Sequence, residues 1–222
     1  MFEAVLFDLD GTLADTAPDL GHAVNVLLRE EARAAQPLDV LRPFTSQGVR
    51  GLLRAGFGIT PEHPDYPRLS QRFLDLYAAR LCADTRLFAG IPELLDRLEA
   101  MQLRWGVVTN KRRRFTDPLV ARLGLSQRTP CIVSGDTTAE AKPSPLPLLH
   151  ACQLLGCAPQ RTLYVGDDRR DIVAGQAAGC LTVAVTYGYL GDGDPLVSWG
   201  ADLVIDHPDE LAVFLATRAA PK

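Results

Sequence analysis

Apolar residues along the chain fall into short runs that are separated by stretches with helical spacing. Six runs have the length and composition of buried strands: residues 5–7, 106–109, 131–133, 163–165, 182–185 and 203–205. Between them, residues 92–98 and 147–155 repeat apolar side chains at the spacing of one helix face, and each begins with proline. Apolar strands that alternate with helices predict an α/β fold with a doubly wound parallel sheet.

The stretch that follows the first run breaks this alternation. It contains no convincing strand, whereas residues 20–33 and 69–81 have the apolar spacing of helices. We therefore expect a helical cap domain over residues 16–84, inserted after the first strand. The α/β core is then formed by residues 1–15 together with residues 85–222.

Composition and charge narrow the class of protein. The chain has 222 residues, of which 47% are hydrophobic, and a formal net charge of -4, which suits a large α/β domain with a smaller one attached. Basic residues are scattered through a slightly acidic chain, which argues against nucleic acid as a partner. No segment approaches the roughly 20 apolar residues of a membrane span, and the start lacks the features of a signal peptide. We expect a cytoplasmic protein with no membrane partner.

Two carboxylates directly follow the first apolar run, at Asp8 and Asp10. Alternation along a strand turns both side chains to the same face. At a separation of about 4 Å and an effective dielectric constant near 20, two such charges repel each other by about 4 kcal/mol. Folding alone does not require this pair, so we expect a functional site with a positive group beside it.

Further polar residues follow the second and fourth runs, where parallel strands would end. They are Thr109, Asn110 and Lys111 after the second run, then Asp167 and Asp168 after the fourth, with Asp171 one helical turn later. Ligands bind beyond the carboxyl ends of such strands, so we expect these groups to converge with the first pair. Carboxylates that meet in one cleft stay ionised only beside a cation, and hard oxygen ligands select Mg²⁺. The sequence therefore predicts Mg²⁺ as a cofactor.

These residues resemble the four motifs of the haloacid dehalogenase superfamily, and the motifs occur in the family's order along the chain. They are the DLDGT sequence at residues 8–12, Thr109, Lys142 in the pair Lys142-Pro143, and Gly166-Asp167-Asp168 with Asp171. The resemblance implies a Rossmann-like core with a cap domain. It also implies a phosphatase, because the dehalogenase and phosphonatase branches lack a carboxylic acid at the position of Asp10.

The resemblance further implies a role for each motif. Asp8 attacks phosphorus and forms an aspartyl-phosphate, while Asp10 protonates the leaving alcohol and then deprotonates water. Thr109 and Lys142 bind the oxygens of the transferring phosphoryl group. Asp8, the main-chain carbonyl of Asp10 and the carboxylate of Asp167 hold Mg²⁺.

Other motif residues are expected to support this chemistry. Asp168 and Asp171 support the ligands or the waters of the metal. Gly11 lets the backbone approach the phosphate closely. We expect Asn110 and Lys111, beside Thr109, to bind substrate.

The substrate class comes from a narrower resemblance. Residues 87–95, 105–111, 165–172, 187–189 and 199–202 are similar to phosphoglycolate phosphatases and, more closely, to N-acetylmuramic acid 6-phosphate phosphatases of cell-wall recycling. Both substrates are small phosphate esters that carry a carboxylate. Arg50, in the cap, is either a ligand for that carboxylate or a solvated surface side chain.

Two other functions share much of this pattern. A phosphosugar mutase of the β-phosphoglucomutase type has both aspartates and a cap, and differs in passing the phosphoryl group to a sugar instead of water. Receiver domains, which are phosphorylated switches without turnover, also combine an acidic Mg²⁺ cluster with a threonine and a lysine. Receiver domains are much shorter, however, and do not need a counterpart of Asp10.

Overall fold

Strands occupy the positions that the apolar runs predict. In the computed structural model, which describes residues 2–191 and 193–218, the strands are β1 (Ala4–Phe7), β2 (Ala14–Asp15), β3 (Arg86–Leu87), β4 (Arg104–Val108), β5 (Ile132–Val133), β6 (Thr162–Gly166), β7 (Leu181–Val185) and β8 (Leu203–Ile205). All except β2 and β3 form one parallel sheet in the order β5-β4-β1-β6-β7-β8. The predicted doubly wound parallel sheet is therefore confirmed.

Helices fill the intervals between the strands. They are α1 (Ala17–Glu30), α2 (Leu38–Leu41), α3 (Gly48–Phe57), α4 (Tyr66–Ala79), α5 (Ile91–Ala100), α6 (Arg113–Arg122), α7 (Leu146–Leu155), α8 (Arg169–Ala178) and α9 (Pro208–Ala216). Proline stands in the first two positions of α1, α4, α5 and α7, where its missing N–H costs no helical hydrogen bond. Among the described helices, none combines the length and the apolar character needed to cross a bilayer.

The sheet is buried on both faces because successive side chains of each strand point to opposite sides. Phe7 of β1 belongs to one apolar cluster with Leu94 of α5. Its neighbour Leu6 belongs to a second cluster with Leu148 of α7 and Ala174 of α8. The packing leaves the carboxyl ends of the strands as the edge at which polar side chains collect.

The insert after β1 is helical, as the sequence predicts. Helices α1 to α4 lie between β2 and β3, and α1 packs against both α3 and α4. The antiparallel pair β2 and β3 was not predicted, because two residues per strand are too few to show an alternating pattern. The division into a core and a cap at the stated boundaries stays a prediction, and residues 1, 192 and 219–222 of the predicted core lie outside the described residues.

Candidate active site

Three neighbouring strands carry the motif residues at their carboxyl ends. β1 lies between β4 and β6 in the sheet, so Asp8 after β1, Thr109 after β4 and Asp167 after β6 come from adjacent strands. Carboxylate oxygens of Asp8, Asp167 and Asp171 all lie within 4.8 Å of one another, and the three side chains are buried. The structure thus brings together residues that are up to 163 positions apart, from Asp8 to Asp171.

Lys142 supplies the positive charge of this cluster. Its buried ammonium donates to Asp171 Oδ1 at 2.7 Å, to Tyr164 Oη at 2.7 Å and to the Val108 carbonyl at 3.0 Å, and lies 3.0 Å from Asp8 Oδ1. Burial works against the ammonium, but Asp171 and then Asp8 outweigh it, so the pKa of Lys142 is raised. The lysine therefore stays charged among the carboxylates.

Asn110 holds the main chain of this lysine. The Asn110 amide accepts from the Lys142 N–H at 2.9 Å and donates to the Lys142 carbonyl at 2.9 Å. The sequence predicts that Asn110 binds substrate, but both ends of its side chain are engaged with the backbone of Lys142. Its observed contacts position Lys142.

The electrostatics of Asp8 reflect its burial. Asp8 is 7% exposed, and burial raises its pKa to about 7, with Lys142 opposing the rise and Asp171 and Asp10 adding to it. Asp8 Oδ1 accepts from the Leu9 N–H at 2.7 Å, as well as facing Lys142. A cation beside Asp8 would favour the ionised carboxylate over the protonated form.

Asp167 is held by groups from three separate segments. Its Oδ1 accepts from the Thr12 hydroxyl at 3.1 Å, and its Oδ2 accepts from the Ser46 hydroxyl and the Tyr189 N–H, both at 2.8 Å. Burial, followed by the charges of Asp8 and Asp171, raises the pKa of Asp167 well above its ordinary value. Three donors fix the carboxylate in one orientation.

Glycine makes room for this carboxylate. A Cβ on Gly11, which has a φ of +84°, would lie 2.1 Å from Asp167 Oδ2. A Cβ on Gly188 would lie 2.3 Å from the Asp167 Cβ. The sequence predicts that Gly11 allows a close approach to phosphate, whereas the contact visible in the structure is with Asp167.

Asp168 and Asp171, predicted as a pair with one role, have different surroundings. Asp168 caps α8 by accepting from the Arg170 N–H at 2.9 Å, and its carboxylate pairs with the Arg170 guanidinium at 2.8 Å. Asp171 instead belongs to the buried cluster, and its Oδ2 accepts from the Asp168 N–H at 3.1 Å. The charge of Asp168 is balanced by Arg170, and that of Asp171 is shared with Lys142.

Asp10 has its own cation. The Lys111 ammonium donates to both Asp10 oxygens, at 2.8 and 3.0 Å, and the Thr16 hydroxyl donates to Asp10 Oδ1 at 2.6 Å. Burial disfavours the Lys111 ammonium, but Asp10 outweighs this and raises the pKa of Lys111. The backbone N–H of Lys111 also donates to Thr109 Oγ1 at 3.2 Å. The positive group expected beside the two aspartates is therefore two lysines, Lys142 at Asp8 and Lys111 at Asp10.

Charge balance indicates what the buried cluster could bind. Three carboxylates and one ammonium leave two negative charges uncompensated when all four groups are ionised. The donors are all oxygen atoms, and buried charges require partners. Asp8 and Asp167, with Asp171 beside them, are thus suited to hold a hard divalent cation.

A cleft of about 460 Å³ opens between these residues and the helical insert. The sheet side of the cleft contributes Asp8, Asp10, Thr109 and Lys142, and the insert contributes residues that include Thr45, Arg50 and Tyr77. A second cavity of about 420 Å³ shares Gln47, Arg50 and Arg170 with the first, so the two adjoin. Arg50 therefore stands at the boundary between the two cavities.

Several residues of the site were missed at the sequence level. Tyr189 lies in a segment that was noted only for its resemblance to relatives. It contacts Asp167 through its backbone N–H, and no side-chain pattern in a sequence can indicate a backbone contact. Thr16 and Ser46 are single hydroxyl residues in helical surroundings, where nothing in the pattern distinguishes them from surface positions. Tyr164 was assigned only to an apolar strand, although its hydroxyl donates to Asp171 Oδ1 at 3.1 Å.

Comparisons with known proteins show which family this chain belongs to. Residues 5–185 match the model of the haloacid dehalogenase-like hydrolase family. The chain is 45% identical to an N-acetylmuramic acid 6-phosphate phosphatase from Pseudomonas aeruginosa over 214 residues, which cover 94% of this chain and 92% of that protein. It is also 45% identical to a phosphoglycolate phosphatase from Xanthomonas campestris pv. campestris over 212 residues, 94% of each chain.

Solved structures give the same result. The crystal structure of a predicted phosphoglycolate phosphatase from Haemophilus somnus superposes with a TM-score of 0.84 at 27% identity, covering 96% of this chain and 98% of that one. The chain therefore belongs to the haloacid dehalogenase-like hydrolases. The predicted family and the prediction of a phosphatase are both confirmed.

Proposed function

We propose that the protein is a Mg²⁺-dependent phosphomonoester hydrolase that works through an aspartyl-phosphate on Asp8. The observation that carries this proposal is the buried cluster of Asp8, Asp167 and Asp171, which faces a cleft and has two more negative charges than Lys142 can balance. When bound by Asp8, Asp167 and the Asp10 carbonyl, Mg²⁺ supplies positive charge that offsets the phosphate oxygens.

In the proposed reaction, a carboxylate oxygen of Asp8 attacks phosphorus and the bond to the leaving alcohol breaks. Asp10 donates a proton to that alcohol and then takes one from the water that hydrolyses the aspartyl-phosphate. Lys142 and Thr109 hold the phosphoryl oxygens, and Asn110 keeps Lys142 in place. The hydrogen bonds from Thr16 and Lys111 support the role of Asp10, since they hold its carboxylate at the cleft that Asp8 also lines.

A substrate panel tests this function. With Mg²⁺ present, the protein is expected to release inorganic phosphate from p-nitrophenyl phosphate and from at least one of 2-phosphoglycolate, N-acetylmuramate 6-phosphate and hexose 6-phosphates. Because Mg²⁺ offsets charge in the transition state, EDTA should lower kcat/KM by about a hundredfold or more, and added Mg²⁺ should restore it. Phosphate release that is unaffected by EDTA would contradict the proposal.

The same panel separates the two alternatives. Transfer of the phosphoryl group to a sugar acceptor, with little free phosphate released, would favour a mutase. A stable phosphorylated protein without turnover would favour a receiver-like switch.

The location in the cytoplasm and the lack of nucleic-acid and membrane partners stay predictions.

The proposed substrate is a small phosphate ester with a carboxylate, as the names of the two relatives suggest. Arg50 supports this class, because it lines the cleft that Asp8 and Asp171 also line, and a guanidinium can pair with a substrate carboxylate. Replacing Arg50 with alanine is expected to raise KM about tenfold for N-acetylmuramate 6-phosphate and to leave N-acetylglucosamine 6-phosphate, which lacks the lactyl carboxylate, nearly unchanged.

A matched control for this measurement is Arg72→Ala. Arg72 is an exposed residue of α4 that pairs with Glu30 and does not line the cleft. The control should leave KM for both sugar phosphates unaltered. If Arg50→Ala raised KM equally for both sugars, the carboxylate-binding role would be rejected.

A further inference from the structure

The cleft is lined by more basic side chains than its acidic side chains can pair with. Every carboxylate that lines it has a cationic partner; the pairs are Asp8 and Asp171 with Lys142, Asp10 with Lys111, and Asp168 with Arg170. Three further basic residues line the cleft, namely Arg50 from the insert, and Arg112 and Arg114 from the segment after β4. Within the part of the chain that the structure describes, none of these three arginines forms an ion pair with a carboxylate.

The cleft is therefore positive in a chain that is negative overall. Its lining carries net positive charge, and the balance stays positive when Asp167, which belongs to the same carboxylate cluster, is counted. The chain as a whole has a formal net charge of -4. Positive charge is thus concentrated at the cleft, although basic residues are scattered along the sequence.

Residues 111–114 are four consecutive basic residues with different surroundings. Lys111 is engaged with Asp10, at 2.8 Å. Arg112, Arg113 and Arg114 are all exposed, but only Arg112 and Arg114 line the cleft. The run therefore contains two arginines at the cleft and, between them, a matched arginine that is not part of its lining.

An aromatic ring holds Arg114 at the cleft. The Arg114 Cζ lies 4.6 Å from the centre of the Phe115 ring, and Phe115 is a buried residue that also lines the cleft. Stacking on a ring uses the flat face of a guanidinium, whereas its N–H groups point outward in the plane. Those N–H groups stay available to water and to anions.

The stability of α6 does not explain these arginines. Arg112 is the N-cap residue and makes no capping hydrogen bond with its side chain, and the first turn that follows contains no acidic residue. The N-terminal end of a helix carries partial positive charge, so acidic side chains are favourable there and cations are unfavourable. Arginines in this position act against the helix, and residues that break such a local rule are often required for function.

We propose that Arg112 and Arg114 draw negatively charged phosphate esters into the cleft and favour those with the highest charge. The proposal rests on the proposed phosphatase function and adds the property by which its substrates are selected at entry. Exposed positive charges at a cleft raise the local concentration of anions, and the attraction grows with the charge of the anion. An ester that also carries a carboxylate has three negative charges and should gain more than a simple dianionic ester.

The test compares the double variant Arg112→Gln/Arg114→Gln with the wild type at about pH 8 and constant Mg²⁺. For p-nitrophenyl phosphate, a dianion, kcat/KM is expected to fall about fivefold at an ionic strength of about 0.02 M, with kcat nearly unchanged. Competition against this substrate by 2-phosphoglycolate, a trianion, should weaken about tenfold. Salt screens exposed charges, so both losses should shrink to less than about twofold in about 0.5 M NaCl.

Two kinds of control variant separate charge from contact and from position. Arg112→Lys/Arg114→Lys keeps both charges and should keep at least about half of the wild-type kcat/KM. Charge reversal provides the matched pair: Arg114→Glu is expected to lower kcat/KM about fivefold at low salt, and Arg113→Glu by less than about twofold. None of the glutamine variants should lower Tm, because each removes a cation from the N-terminal end of α6.

Several results would overturn the inference. The absence of a loss at low salt, a loss that salt does not reduce, or a lysine variant as impaired as the glutamine variant would show that long-range attraction is not the cause. A lowered kcat or Tm would show a structural role, and an equal loss in Arg113→Glu would show that position at the cleft is irrelevant. All of these results leave the phosphatase function standing. A wild type that releases no phosphate from p-nitrophenyl phosphate would instead overturn the proposed function, and this inference with it.

Discussion

Replacing Asp8 with asparagine is expected to reduce turnover by at least about a thousandfold while the fold is retained. An amide lacks the nucleophilic carboxylate oxygen, so no aspartyl-phosphate can form. The side chain keeps its size, and Lys142 keeps its contacts with Asp171, Tyr164 and Val108. The substitution also removes one of three mutually repelling carboxylates, so we expect Tm to change by only a few degrees.

Three measurements check this prediction: kcat with p-nitrophenyl phosphate, Tm, and the amount of phosphoryl group trapped on the protein after acid quenching. Asp136→Asn serves as a control, since Asp136 accepts from the Arg113 N–H and lies outside the cleft. The control should keep nearly full activity. Substantial turnover or a trapped phosphoryl group in Asp8→Asn would place the nucleophile elsewhere.

Replacing Lys142 with methionine is expected to lower both activity and stability. Methionine has a similar length, but it leaves the carboxylates of Asp8 and Asp171 without their ammonium partner. Breaking a buried ion pair by removing one partner costs about 3–5 kcal/mol of unfolding free energy. Activity should fall by at least about a hundredfold, because the proposed donor to the phosphoryl oxygens is lost.

The stability loss is expected to depend on pH. Burial already raises the pKa of Asp8 from an ordinary 3.8 to about 7, and loss of Lys142 removes the charge that opposes this rise. A carboxyl group whose pKa is higher in the folded state binds more protons when folded, so its contribution favours folding at low pH and is lost as pH rises from about 4 through 7. The loss of unfolding free energy caused by Lys142→Met should therefore be larger at about pH 8 than at about pH 5.

Urea unfolding in metal-free buffer at both pH values measures this deficit. Lys111→Met is the comparison, because its ammonium balances only Asp10 at a more exposed position. We expect a smaller loss of unfolding free energy for that variant. A deficit for Lys142→Met that is independent of pH, or larger at low pH, would show that the lysine does not balance the charge of the carboxylate cluster.

Much of the core could be predicted from the sequence, because a strand buried on both faces has to be apolar along its whole length. The six apolar runs therefore stand out, and all of them become strands of the parallel sheet. The pair β2 and β3 was missed, since two residues carry no periodicity. The expectation that Asn110 binds substrate stays a prediction, and spacing alone did not reveal that its amide bonds to the backbone of Lys142.

The sequence by itself determined which chemical groups end the strands, since Asp8, Thr109 and Asp167 follow apolar runs whose burial is dictated by composition. Tertiary structure alone decided how those groups are balanced. It pairs Asp171 with Lys142, which is 29 positions away, whereas Asp168, only three positions from Asp171, pairs locally with Arg170 at the start of its own helix. It also brings Ser46 to Asp167 across 121 positions. Hydrogen bonds and ion pairs act over a few ångströms, so they depend on the folded path of the chain, whereas burial of a strand depends on local composition.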